Sequence, residues 1–240
     1  VEDSPGQRRY RVLETLRQYA WERLLETGRG ADAQRRHLEW YLGLAERADP
    51  EVPGTQERVG QIQLATEYDN LRAALAWSLD NDPVRALRLA GCLADFWRRG
   101  GHHAEGRRWL NAVLATSDQS SGSVGARARV IRGIGNLAAD VGEFGPEQLS
   151  LAAECVRLFR EVEDQRGLVD ALQYLGRCLF ESGEDVGQVQ SVFDESLRVA
   201  RTIGDQHGIG FALANLAELT WVRGDHTEAL VQYKQAVEQI

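Results

Sequence analysis

Three groups of residues have the types from which a catalytic or cofactor site can be built. Gly133-Ile134-Gly135-Asn136-Leu137-Ala138 spells GxGxxA, the spacing with which a turn cradles a dinucleotide pyrophosphate. That chemistry needs a strand before the first glycine and a helix N-terminus aimed at the phosphates. Here the glycines fall inside a predicted helix, so they read as packing positions. His102 and His103 beside Glu105 offer imidazole and carboxylate ligands. Two adjacent histidines do not readily face one ion, and no HxxxH or HExxH supports them, so they read as a polar turn between helices. Ser, His and Asp occur without a spacing that builds a triad. Glu161, Glu163 and Asp164 read as a solvated helix end, with no acid/base role assigned. The expectation is a non-catalytic chain with no metal and no cofactor of its own.

Composition points the same way. Of 240 residues, 43% are hydrophobic and 27% charged, which suits a folded globular chain and argues against disorder. No apolar run approaches the roughly 18 residues of a membrane span, and nothing resembles a signal peptide. The formal net charge of −8 opposes direct nucleic-acid binding. Cys92, Cys155 and Cys178 are odd in number, lack CxxC spacing and fall in predicted helices. They read as reduced thiols packed in a cytoplasmic protein. The sequence contains no methionine, which predicts that it is a piece of something longer.

The elements that would position any site are helices. Helical spacing runs over 8–25 (Tyr10, Leu13, Leu16, Ala20, Leu24), ended by Gly28 and Gly30, and over 33–48 (Leu38, Tyr41, Leu44, Ala45, Ala48). Asp49-Pro50 and Pro53-Gly54 break the chain; helices follow over 57–65 and 71–79, the latter started by Asp69 or Asn70. No stretch alternates as a strand. In 210–236, Leu213, Leu216, Ala217, Thr220, Gly224, Ala229, Tyr233 and Ala236 occupy positions 4, 7, 8, 11, 15, 20, 24 and 27 of a helical hairpin. Small residues at 8, 20 and 27 let the two helices approach, large ones fill the seam, and Gly224-Asp225 makes the turn. Ala90, Leu93, Ala94, Trp97 and Gly101 take the corresponding places in one earlier unit; Ile131, Ile134, Gly135, Ala138 and Gly142, then Leu172, Leu175, Gly176, Leu179 and Gly183, do so in two more. Asp164-Gln165-Arg166-Gly167 recurs 41 residues later as Asp205-Gln206-His207-Gly208. In the two middle units the second helix is displaced by one residue, and Gln148 stands where a small residue is expected. The Ser/Gly stretch 117–125 reads as a flexible connector.

This pattern resembles the tetratricopeptide repeat, which implies an all-α, right-handed α-solenoid of about four hairpins (87–116, 128–165, 169–206, 210–240) behind an N-terminal helical connector. The segments 10–24 (YRVLETLRQYAWERL), 35–51 (RRHLEWYLGLAERADPE), 67–79 (EYDNLRAALAWSL) and 100–114 (GGHHAEGRRWLNAVL) follow in an order similar to the region behind the nucleotide-binding module of bacterial STAND-type regulators of the LuxR and antibiotic-regulator kind. That resemblance implies that 1–30 is the tail of a winged-helix-like element, 31–83 a connector and 84–240 a sensor array. It also implies a cytoplasmic setting and an ATP-binding module upstream. Within this chain there is no GxxxxGK[ST] loop and no recognisable DNA-reading helix-turn-helix.

In a tetratricopeptide array the first helices line a concave groove through positions 2, 5, 6, 9, 12 and 13. Carried over, these are Arg88, Asp95 and Arg98; Arg129, Arg132 and Asn136; Asp170, Gln173, Tyr174, Arg177 and Phe180; Phe211, Asn215, Glu218 and Trp221. Arginine and asparagine there could grip a carboxylate or a peptide backbone, with Phe180 and Trp221 as apolar anchors. The expected partner is a protein, a peptide or a small inducer. Two alternatives remain: a self-assembling scaffold that dimerises through the uncapped last hairpin, and a helical accessory domain of a larger enzyme such as a cyclase or kinase.

Overall fold

The computed structural model describes residues 2–4, 7–9, 13–49, 57–117 and 124–239. Among them are twelve α-helices and one short antiparallel strand pair, β1 (Glu2–Ser4) and β2 (Gln7–Arg9). The connector helices are α1 (Glu14–Glu26), α2 (Gly30–Ala48), α3 (Glu57–Thr66) and α4 (Tyr68–Asn81). Four hairpins follow: α5 (Pro83–Arg99) with α6 (His103–Thr116), α7 (Val124–Ala139) with α8 (Pro146–Glu161), α9 (Gln165–Glu181) with α10 (Val186–Ile203), and α11 (Gln206–Val222) with α12 (His226–Val237). Tyr10, Pro50, Pro53-Gly54 and most of the Ser/Gly connector lie outside the described residues.

The N-terminus differs from the sequence expectation. The first helix starts at Glu14, and Gln7–Arg9 forms a strand instead of its first turn. Gln7, Arg8 and Arg9 supply no apolar side chain to a helical stripe, so burial gives a helix nothing there, and Pro5-Gly6 is a turn signal in the sequence. The apolar stripe of α1 stays largely uncovered: Leu13, Leu16 and Leu25 are all more than half exposed. Gly28, at φ +68°, makes the turn after α1, whereas Gly30 opens α2 instead of ending α1.

Turn length sets the start of each second helix: α8 begins four residues after Gly142 (φ +74°) with Gly145 at its N-cap, a displacement of two residues and not one. In the last hairpin Gly224 (φ +93°) is followed at once by Asp225, whose carboxylate accepts the Glu228 N–H as an N-cap. In the preceding hairpin Gly183 (φ +72°) and the capping Asp185 are separated by Glu184, so the extra residue sits in the turn and the helix follows intact. The recurring Asp-x-x-Gly is a cap with a packing requirement. Asp164 accepts the Gly167 N–H at 2.9 Å and Asp205 accepts the Gly208 N–H at 3.1 Å, starting α9 and α11 alike. A Cβ on Gly167 would lie 2.2 Å from the Phe159 ring, so only glycine fits under that ring.

The same close approach recurs through the array. Trp97 lies on Gly106, Tyr174 on Gly135 and Phe193 on Gly176, each leaving a substituent Cβ under 3.0 Å from the ring. Gly133, the first glycine of the dinucleotide-like sextet, faces Ala94 across α5 and α7, where a Cβ would come within 2.7 Å. Both of that sextet's glycines are therefore buried in helix packing. Cys92, Cys155 and Cys178 are buried free thiols, and burial pushes them up to about 12, 12 and 11.

The connector shares its core with the array. Leu38, Leu42, Leu71 and Leu75 from α2 and α4 join Leu87, Leu93, Trp97, Leu110 and Val130 in one cluster. The Trp97 indole N–H donates to the Tyr68 hydroxyl at 2.8 Å, and the His102 ring stacks on Tyr68 and Phe96. A second cluster joins α7 to α11, and a smaller one around Phe193 reaches Leu219. Gly176→Ala gains up to about 1 kcal/mol of helix propensity but drives a methyl into the Phe193 ring. Overpacking of about 1–3 kcal/mol wins, so urea unfolding should show a net loss of stability, and a gain would contradict the packing account.

Candidate functional site

The candidate residues on α5, α7, α9 and α11 lie in rows, because equivalent positions of successive first helices face the same way. They do not wait as open charges. Arg132 of α7 reaches Asp170 of α9 at 3.3 Å, and Arg177 of α9 reaches both Glu218 of α11 at 2.5 Å and Glu181 at 2.8 Å. Gln173 donates its amide N–H to the Gly208 carbonyl at 3.1 Å. Arg98 sits between Asp95 and Asp140, 3.6 Å from each, and Asp140 also meets His103 at 3.4 Å. Arg88 pairs with Glu46 on the last turn of α2 and Arg129 with Asp49, the residue that caps its C-terminus. The face is a ladder of opposite charges linking each first helix to its neighbours.

Such pairs contribute little stability one by one when they are half in water. Their arrangement matters more. A ladder of alternating sign fixes helix register and offers a polar ligand paired donors and acceptors in place of a block of one charge. Asn136 and Asn215 are half-buried on the same face. Towards the C-terminal end the ladder turns aromatic: the Arg177 guanidinium lies 5.7 Å from the Phe144 ring and 5.6 Å from Phe180. Trp221, 46% exposed, packs its ring 4.2 Å from His226, and Phe211, 44% exposed, lies 4.7 Å from His207. The structure thus brings Arg132, Gln173, Arg177, Phe180 and Glu218 into one continuous surface and sets Arg98 and Arg129 nearer the connector. Glu46, Asp49, Asp140 and Phe144 were missed by sequence reasoning. Arg129 and Asp49 are 80 residues apart, and local periodicity carries no signal for such a pair.

On the outer side, α4 and α6 enclose an open groove of about 520 Å³ lined by Arg72, Ala104, Glu105, Arg108 and Trp109. Arg72 holds Glu105 through Nε at 2.8 Å and Nη2 at 2.5 Å while its guanidinium lies over Tyr68; the Trp109 N–H donates to the same carboxylate at 3.2 Å. The Arg72 hydrogen bonds hold the Glu105 carboxyl well below the carboxylate range, at about 2. Arg72 and the Trp109 N–H both bond Glu105, so the network fastens α6 to the connector. Among the described residues no group of three His, Cys, Asp or Glu side chains is placed to hold a metal ion, and no helix is long and apolar enough to cross a membrane.

No family model matches the chain. Curated relatives named "Putative HTH-type transcriptional regulator", from Mycobacterium bovis and from Mycobacterium tuberculosis, are 33% identical over 214 residues. The match takes in 86% of this chain and 24% of each relative, so the chain spans about a quarter of their length. Among solved structures, BtubC (BKLC) from P. vanneervenii superposes with a TM-score of 0.60 at 17% identity, over 92% of this chain and 91% of that one. The "putative kinesin light chain nearly identical TPR-like repeats" of Podosopora anserina give 0.56 at 15% identity, over 84% and 94%. At such identity these likenesses establish the fold, a tetratricopeptide-like α-solenoid, and nothing more specific.

The Glu105 network carries a pH signature. Its carboxyl falls from the usual 4.5 to about 2 on folding, so its stabilising effect is complete above pH 4.5 and fades as pH drops towards 2. The difference in thermal midpoint between the native chain and Glu105→Gln should therefore shrink over that window. A difference independent of pH would contradict the assignment.

Proposed function

We propose that this chain is a sensor arm of a transcription regulator, that its ladder face takes a protein, peptide or small inducer, and that it performs no catalysis itself. One observation carries the reading: successive first helices present a continuous row of paired Arg, Asp, Glu and Gln side chains that ends in part-exposed aromatic rings. Surfaces of this kind, with polar groups for register and a few aromatic or arginine anchors, carry most of the energy in protein recognition. Tetratricopeptide-like arrays commonly mediate protein–protein contacts. The similarity to helix-turn-helix regulators over most of this chain supports placing the arm in that setting. A STAND-type ATP-binding module elsewhere in the protein, with ATP as its nucleotide, belongs to the same proposal, as does a cytoplasmic location.

Mechanistically, a ligand acts on such an arm only through unequal affinity for two arrangements of it. The inter-helix pairs are suited to this, because a ligand carboxylate that takes Arg177 releases Glu218, and a ligand donor that takes Asp170 releases Arg132. Each exchange alters a contact between neighbouring first helices, and so the curvature of the stack.

The test is affinity capture from the source organism's lysate, comparing the chain with Arg132→Ala/Arg177→Ala/Trp221→Ala at equal helicity by circular dichroism. A partner held by the first and lost by the second is the expected result. A partner held equally by both contradicts use of this face.

A second reading, self-association, is favoured by the far end of the array. Val237 stands twelve residues past its cap Asp225, as Leu197 does past Asp185, yet Val237 is 74% exposed and Leu197 8%. Trp221, Val222, Leu230 and Val231 extend the uncovered surface. Sedimentation equilibrium over a hundredfold concentration range should then show a dimer that Val237→Glu dissolves; a strict monomer removes this reading.

A further inference from the structure

The turns between paired helices carry rings that turn geometry does not require. Phe180 and Trp221 each stand three residues before a turn glycine, Gly183 and Gly224. The matching residue before Gly142 is Ala139. There the longer turn supplies Phe144 instead, whose ring lies 6.4 Å from that of Tyr174 on α9. Glycine at positive φ and a capping residue are enough to reverse a chain. Phe144 and Phe180 are nonetheless half-buried, Trp221 is 46% exposed, and Val222 beside it is 61% exposed. Apolar surface of this kind, gathered along one edge of the array, marks a contact with another molecule.

The charge of the same edge limits what that molecule is. Residues 140–147, 181–188 and 221–228 contain eight acids and a single arginine, Arg223, with no lysine. Acids at the starts of helices suit the helix dipole, so their presence alone assigns no site. Arg177 shows what the edge holds. Its guanidinium lies 5.7 Å from the Phe144 ring and 5.6 Å from Phe180, and it meets Glu181 at 2.8 Å and Glu218 at 2.5 Å. One repeat of 41 residues further on, Trp221 takes the place of Phe180, but Glu218 takes the place of Arg177. The interval between Phe180 and Trp221 therefore presents two rings and a carboxylate and, at the matching place, no guanidinium. Glu218 meets Arg177 through Oε2, and its side chain is 37% exposed.

We propose that the interval between Phe180 and Trp221 receives an arginine side chain of a basic, extended partner segment, held as Arg177 is held between Phe144 and Phe180. A guanidinium is planar, so it stacks on a ring face and bonds a carboxylate at its edge at the same time. A lysine ammonium offers only a point charge. Glu218 Oε1 is the acceptor, and the exposed Glu184 and Asp225 on the adjoining turns supply the field that draws a basic segment in. The proposal rests on the aromatic end of the ladder face being a contact surface, and it adds the chemistry of the partner. It also gives the two-residue lengthening of the second turn a role, since Phe144 forms one wall of the first such slot.

The test uses the full chain and two fluorescein-labelled peptides of equal charge, hexaarginine and hexalysine, followed by anisotropy at low ionic strength, where screening is weak. The native chain should bind hexaarginine about fivefold more tightly than hexalysine, the margin of one guanidinium–ring contact at an exposed site. Trp221→Leu, which keeps an apolar side chain at an exposed position, should abolish that margin and leave hexalysine binding nearly unchanged. In the native chain labelled with fluorotryptophan, the resonance that Trp221→Leu lacks should shift further with hexaarginine than with hexalysine. Equal affinity for the two peptides overturns the proposal, as does a margin that survives Trp221→Leu, or a Trp221 resonance unmoved by hexaarginine. Absence of binding by either peptide also overturns it. None of these results removes the ladder face, which the capture experiment judges with its own variant; a partner held equally by both chains there removes the face and this slot together.

Discussion

Helices can stack closely only where one of them gives up its side chain. In this protein the rings of Trp97, Phe159, Tyr174 and Phe193 each lie on a glycine: Gly106, Gly167, Gly135 and Gly176. Each of these glycines seats a ring from another helix of the array. A methyl at any of them would come within 2.2–2.9 Å of ring carbon. The distance between neighbouring helices, and hence the spacing of the ladder rungs, follows from these contacts. Between α7 and α9, where Arg132 meets Asp170, the close approach is that of Tyr174 to Gly135; the other three contacts set each second helix against a neighbouring first helix.

The first junction is built on glycine as well. Gly133 meets Ala94 with almost no space, and Gly91 lies bare beneath Arg129. Connector, first hairpin and second hairpin thus share a single apolar cluster, tied on the outside by Arg72–Glu105 and on the inside by Arg129–Asp49. Further along, side chains replace backbone in the gaps and the face becomes polar, then aromatic. A regular repeat in the sequence gives a surface graded from the connector end to the far end.

Much of this was legible in the amino-acid pattern, and the reason is local. Small residues at the eighth position, glycine at the turns and the Asp-x-x-Gly recurring after 41 residues each act within one hairpin, so spacing along the chain reports them directly. The displacement of two second helices was visible in the sequence as one residue each; it is one for α10, through Glu184 between Gly183 and the capping Asp185, and two for α8, which starts at Pro146 behind Gly142. Tyr174 and Trp97 were legible as apolar positions, but not as lids on particular glycines. The start of the chain was misjudged because Leu13 and Leu16 imitate a core-facing stripe, and periodicity alone does not tell a covered stripe from an uncovered one. The site was legible as a face, and Arg98, Arg129, Arg132, Gln173, Arg177 and Glu218 were named from their positions. Partners outside the first-helix rows were not, since Glu46, Asp49 and Asp140 reach them from elsewhere in the chain and an ion pair leaves no periodic trace.

The claim on which the account turns is that the inner face of the array, and not its outer helices, meets the partner. A photo-crosslinking amino acid placed singly at Asn136 and Trp221 on the inner face, and at Arg157 and Arg198 on the outer helices, tests it inside the source cell. The account predicts a shared adduct from the first two positions and none from the second two. An adduct formed only from Arg157 or Arg198 would contradict it.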